Sequence, residues 1–166
     1  HLTPTGTAHM VSVSLKPSTL RTAIAVGYIH FSNPTPLSLI RSNSLKKGDV
    51  LSVARIAGIM AAKATPTLVP LCHPIALEHV GVELRILDGG EGGDGEGSAK
   101  VGEGFGGVSV EAKVQCTGPT GVEMEALAAV VGAGLTVVDM CKAVDRGMRM
   151  EGVRVVLKEG GRSGTW

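Results

Sequence analysis

Between Leu77 and Leu87 apolar residues recur at every second position, as Val80, Val82, Leu84 and Ile86. A period of two belongs to a strand with one buried face and one wet face, and such a strand needs a partner. Val108 to Cys116 reads as that partner, reached across the Gly-rich, low-complexity stretch Asp88 to Gly107. The two form a hairpin with a flexible tip over 89–107, where no catalytic part is expected.

The remaining elements arrange themselves around this hairpin. Thr22 to Phe31 is β-branched and partly alternating, which predicts a strand; Asn33-Pro34-Thr35-Pro36 ends it and a short helix follows over Leu37 to Ser42. Val11-Ser12-Val13 reads as a further short strand. Asp49 is placed to cap a helix over Val50 to Ala64. Val53, Ile56, Ala57 and Met60 are spaced for burial there, while Ala54, Ala57, Gly58 and Ala61 let another backbone come close. Thr65-Pro66 ends that helix. Thr120 and Glu123 have capping-box spacing, predicting a helix over Gly121 to Val131. Gly132 and Gly134 each cost about 1 kcal/mol relative to Ala and divide it from a second helical stretch, Leu135 to Val144. Val153 to Leu157 is the last strand, and the Glu159 to Gly164 tail is too rich in glycine for regular structure.

Strand, helix, helix, strand, strand, helix, strand is the order of an α+β fold: an antiparallel sheet with helices packed on one face, in a ferredoxin-like layout. The 166 residues suit one domain spanning 1–166. Apolar residues make up 43% but aromatics only 2%, so small side chains must fill the core. Such a core covers less area per residue, and oligomerisation is a common remedy. The formal charge of +1, with no basic block interleaved with aromatics, gives no support to a nucleic-acid surface. Cys72, Cys116 and Cys141 form no CxxC and are odd in number, which reads as reduced thiols in an intracellular compartment. No apolar run reaches the roughly 18 residues of a membrane span.

Four segments hold reactive groups. Lys46 and Lys47 stand beside a helix N-terminus, a place that favours anions; the bland alternative is a solvated loop with a capping Asp. Cys72-His73-Pro74 fixes a histidine between prolines, fit to bind phosphate or move protons near neutral pH, or simply a loop histidine satisfied locally. It offers too few ligands for structural zinc. Glu123 is occupied by the capping box, so Glu125 is the stronger functional candidate, with Met124 as packing. Asp139 and Lys142 share a helix face at i, i+3. Exposed, the pair contributes only a few tenths of a kcal/mol; desolvated, it is an acid and a base held together. The apolar neighbours Val137, Val138, Met140 and Ala143 favour partial burial.

These segments occur in a telling order: Ala8-His9-Met10-Val11, Lys47-Gly48-Asp49-Val50, Ala54-Arg55-Ile56-Ala57-Gly58-Ile59, Pro70-Leu71-Cys72-His73-Pro74, Thr120 to Leu127, and Asp139-Met140-Cys141-Lys142-Ala143-Val144. The ordered set resembles the molybdenum-cofactor biosynthesis protein C family, the cyclic pyranopterin monophosphate synthases, from His9 to the Gly160 to Gly164 tail. The resemblance implies a ferredoxin-like subunit in a hexamer of three dimers, with its site at a dimer interface. It implies conversion of 3′,8-cyclo-7,8-dihydroguanosine 5′-triphosphate to cyclic pyranopterin monophosphate with loss of pyrophosphate. Asp139, Lys142 and Lys47 match catalytic positions; Leu71, Cys72, His73, Glu123, Met124 and Glu125 match substrate-binding segments, and Arg21 a basic residue of the site. No resident cofactor is required, though Mg2+ can travel with the triphosphate. The partner is the radical enzyme that supplies the substrate, separate or fused; the location is cytoplasmic in a bacterium and the mitochondrial matrix in a eukaryote. Ser12 departs from the family, which usually has Asp there.

The chemistry suits these residue types. Lys47, His73 and Arg21 can hold phosphate charge; Asp139 and Lys142 can move protons on a pterin ring; Glu125 can accept hydrogen bonds from a guanine-like edge. Two other readings compete. A non-enzymatic purine-nucleotide-binding module on the same fold has no need of Asp139 beside Lys142. A scaffold subunit leaves Cys72-His73-Pro74 and Glu125 without purpose.

Overall fold

The computed structural model describes residues 2–89, 104–162 and 164–166. Most of the expected hairpin tip, 90–103, therefore lies outside the described residues. The elements run β1 (Thr19–His30), α1 (Thr35–Arg41), α2 (Val50–Lys63), α3 (Thr65–Leu68), β2 (His79–Leu87), β3 (Gly107–Gly118), α4 (Glu123–Cys141) and β4 (Arg149–Glu159). The strands form one sheet in the order β2-β3-β1-β4, with every neighbouring pair antiparallel. A β-α-β-β-α-β chain with its first and third strands central is the ferredoxin-like arrangement.

Strand alternation decides which face is covered. Val108, Val110, Ala112, Val114 and Cys116 of β3 are buried, while the alternate residues Glu111, Lys113 and Thr117 are exposed. In register with them, Ala23, Ala25 and Ile29 of β1 and Val82 and Leu84 of β2 point to the same side. α4 lies across β1, β3 and β4, and α2 packs on α4 and β2. Both long helices thus cover one face. Small residues set the spacing: a Cβ on Gly27 would stand 2.6 Å from a Val130 methyl.

Several expectations are corrected. Val11–Val13 is not a strand; the Val11 carbonyl accepts from His73 Nε2 at 2.7 Å and the Val13 carbonyl from the Lys16 backbone N–H at 3.0 Å. α4 is one helix where two stretches were expected. Its mid-helix glycines let other elements touch it, since a Cβ on Gly132 would lie 2.4 Å from the Ala61 Cβ and one on Gly134 would lie 2.6 Å from Met150 Sδ. Tertiary packing there outweighs the propensity cost. The capping box does not form: Val122 occupies the N-cap and no side chain bonds there. α2 does start at Asp49, whose carboxylate accepts from Ser52 N at 3.0 Å. Its apolar stripe, however, is turned outward. Ala54, Gly58 and Ala62 face the core, while Val53, Ile56 and Met60 are 46%, 60% and 57% exposed. Close packing on α4 selects the small-residue face, leaving the larger side chains on the surface. α4 is long and apolar enough to cross a membrane by length and composition, but more than half of it is buried in this core.

Candidate active site

The side chains expected to surround one ligand fall into two clusters at opposite ends of α4. At the C-terminal end, Asp139 sits between two ammonium groups. Lys47 Nζ donates to Asp139 Oδ2 at 2.5 Å and to the Asp139 carbonyl at 3.0 Å, and Lys142 Nζ donates to Oδ1 at 2.6 Å. Lys47 reaches across because Gly48, at φ +90, turns the loop sharply before Asp49 caps α2. Hydrogen bonds from Lys142 and then Lys47 hold the Asp139 carboxyl down to about 2. The three side chains are about half exposed, so the expected desolvation is not made within one chain. Val137 and Met140 are buried beneath them.

At the N-terminal end, Leu71, Cys72, His73, Glu123, Met124 and Glu125 line a cavity of about 310 Å³, with Val11 and Val13 of the N-terminal arm. Glu125 is 3% exposed. Burial pushes its carboxyl up, and the nearby Glu123 adds to this. A buried acid facing a cavity is a functional signature. Burial also raises the Cys72 thiol, followed by the charge of Glu125. His73 holds the arm through Nε2, leaving Nδ1 for other partners. Ser12, between the two arm valines, is exposed and bonds Ser14 through their hydroxyls at 2.9 Å.

A larger cleft of about 630 Å³ adjoins this cavity and shares Lys16, Thr120, Gly121 and Glu123 with it. Arg21 lines that cleft, its Nε donating to the Gly118 carbonyl at 3.2 Å. The cleft adds Lys16, Lys158 and Arg162, none singled out from the sequence. Lys158 is 4% exposed and donates to the Gly164 carbonyl at 3.1 Å. Lys158 pairs with Ala23 in register, and the register shift between Ile24 and Ala25 brings it to the same side as Val155, so plain strand alternation would have placed it on the wet face. The cleft thus has several cations converging on a space fit for a polyanion. Among the described residues, no three His, Cys, Asp or Glu side chains gather as a metal-ligand set.

Glu125 and Asp139 are fourteen residues apart on one helix, a rise of about 21 Å. The Lys47–Asp139–Lys142 cluster and the basic, acid-lined trough are therefore separate in a single chain.

A ferredoxin-like α+β chain with an aspartate clamped by two lysines and a cation-lined trough defines a protein equipped for acid–base work on a polyanionic ligand. The particular family comes from its relatives. Residues 10–161 match the MoaC family. Cyclic pyranopterin monophosphate synthase of Methylobacterium sp. (strain 4-46) is 52% identical over 166 residues, covering 100% of this chain and 94% of the relative. The protein of that name from Chloroflexus aggregans is 49% identical over 166 residues, covering 100% and 91%; that from Rhodospirillum rubrum is 50% identical, covering 100% and 90%. The chain belongs to the MoaC family.

Proposed function

We propose that this chain is a cyclic pyranopterin monophosphate synthase, a lyase of molybdenum-cofactor biosynthesis that converts 3′,8-cyclo-7,8-dihydroguanosine 5′-triphosphate to cyclic pyranopterin monophosphate and pyrophosphate. The observation that carries the catalytic part is the Asp139 carboxylate held between Lys47 and Lys142. A non-enzymatic nucleotide-binding module needs phosphate cations but no such triad.

In this reading the triphosphate lies in the cleft of Lys16, Arg21, Lys158 and Arg162, whose charge also stabilises the departing pyrophosphate. Glu125, at the foot of the adjoining cavity, accepts hydrogen bonds from the guanine-like edge, and Leu71, Cys72, His73, Met124 and Glu123 form the walls. Lys47, Asp139 and Lys142 move protons on and off the ring as it rearranges. A ribose oxygen aimed at the innermost phosphorus then closes the cyclic phosphate as pyrophosphate leaves. Any magnesium ion arrives with the triphosphate as part of the substrate.

The two clusters act together when a second copy supplies one of them, so the working site lies between subunits of a dimer, with three dimers in a hexamer. Val53, Ile56 and Met60 on α2 and Leu135 on α4 are exposed apolar side chains of the kind such an assembly covers. The three unpaired cysteines suit a reducing intracellular compartment, alongside a radical enzyme that makes the substrate.

The test is turnover. Purified protein given the cyclised dihydroguanosine triphosphate releases pyrophosphate and forms the cyclic monophosphate. Lys142→Ala lowers this by more than about 10²-fold while fold and assembly persist. Binding without turnover by the native protein supports the nucleotide-binding module instead, and normal turnover by Lys142→Ala removes that lysine from the chemistry.

A further inference from the structure

Asp139 and Lys142 sit at the end of α4, whereas Lys47 lies on the connection between α1 and α2. Their meeting depends on how those two segments are held against each other. Asp145, three residues beyond Lys142, is 2% exposed. Its Oδ2 accepts from the backbone N–H of Ser32 at 2.7 Å; its Oδ1 accepts from the Ser32 hydroxyl and from the backbone N–H of Gly147 at 2.9 Å. The Asp145 backbone N–H donates to the Cys141 carbonyl at 3.0 Å, closing the last turn of α4. The adjacent Asn33 amide donates the other way, to the Val144 carbonyl at 3.1 Å, while its oxygen accepts from Thr35 N at 3.0 Å. Gly147 is part of the fit, since a Cβ there would lie 2.5 Å from Ser32 Oγ. Ser32 and Asn33 are where the chain leaves β1 for α1 and the Lys47 loop.

We infer that Asp145 is a positioning residue for the triad, pinning the start of the segment that carries Lys47 to the end of the helix that carries Asp139 and Lys142. The inference rests on the acid–base reading above. Asp145 is too buried to meet substrate and acts through the Lys47–Asp139 geometry. Burial works against its charge, but the Ser32, Gly147 and Asn33 donors outweigh it and hold the carboxyl below the usual carboxylate range.

The test compares assembled wild-type enzyme with Asp145→Asn and Ser32→Ala, measuring turnover together with circular dichroism and assembly. Asparagine turns one acceptor into a donor facing an N–H; Ser32→Ala removes one hydroxyl and keeps the backbone N–H. The expected result for Asp145→Asn is a kcat lower by about 10- to 100-fold with KM changed less than about 2-fold, since misplacement by about 1 Å is enough for that loss. Ser32→Ala shows a smaller loss of the same kind. In a Lys47→Ala background, Asp145→Asn lowers the residual rate by less than about 3-fold, because the geometry it protects is already gone. Wild-type kcat in folded Asp145→Asn overturns the inference, as does full additivity with Lys47→Ala. If Asp145→Asn does not fold, Ser32→Ala decides, and an unchanged kcat there overturns it. Absence of turnover by the wild-type enzyme removes the catalytic reading itself, and this inference with it.

Discussion

Glu125 and Asp139 project from the two ends of one unbroken helix, about 21 Å apart. No purine triphosphate whose ring is held by Glu125 also places that ring against Asp139 of the same chain.

Subunit mixing tests the shared site directly. Lys142→Ala and Glu125→Gln are each expected to be nearly inactive alone. When equal amounts of the two are unfolded together and refolded into randomly paired dimers, about half the dimers are mixed and one of the two sites in each contains neither substitution, about a quarter of all sites, by the symmetry of an isologous pair. Turnover of the mixture should recover to about that fraction of wild type. Failure to recover, with mixed dimers demonstrated by mass, places both halves of the site on one subunit.

Acid should reveal the clamp on Asp139. Its folded pKa, about 2, lies below the ordinary carboxylate value because Lys142 and Lys47 bond the ionised form. A depressed pKa contributes stability that is present above about pH 4 and is lost as pH falls through about 2. Asp139→Asn should therefore lower the denaturation midpoint slightly at neutral pH, match wild type at about pH 2 and so flatten the midpoint against pH across that window, while turnover falls by more than about 10²-fold. An identical acid profile in the two proteins would mean the lysines do not hold the carboxylate in solution.

Glu125 should show the opposite sign. Burial raises its folded pKa, so the folded state prefers the protonated acid and its ionisation costs stability. That cost is absent below the ordinary glutamate value near about 4.3 and grows as pH rises through the folded pKa. Glu125→Gln is expected to raise Tm at pH 7 to 8, to match wild type below about pH 4, and to weaken substrate binding. Thermal scans across pH check this, and a lower neutral Tm for the variant contradicts it.

Gly132→Ala sets helix propensity against packing. Alanine gains about 1 kcal/mol in a helix interior. Its Cβ, however, would lie 2.4 Å from the Ala61 Cβ and 3.3 Å from the Ala57 carbonyl oxygen. Neither neighbour is a flexible tip, so α2 and α4 must part, at about 1–3 kcal/mol. The upper part of that range applies, giving a net loss of about 1–2 kcal/mol and a Tm lower by about 2–8 °C. A Tm at or above wild type in a thermal melt would show that the helices separate without cost.

Much of this protein was written in local pattern. The alternation from Val80 to Ile86 specified β2 and its buried face, Asp49 marked the start of α2, and the ordered motifs pointed to the family. Those features depend on neighbours a few residues away, so a linear reading reaches them. The tertiary structure decided the rest. Whether α2 buries Ile56 or Gly58 depends on α4, more than sixty residues on, and close approach selected the small face. Whether Gly132 breaks α4 depended on Ala61 filling the gap. Lys47 and Asp139 are 92 residues apart in sequence yet share a hydrogen bond, while Glu125 and Asp139 share a helix and never meet. Periodicity records which way a side chain points; which distant side chain it faces is fixed only when the layers close.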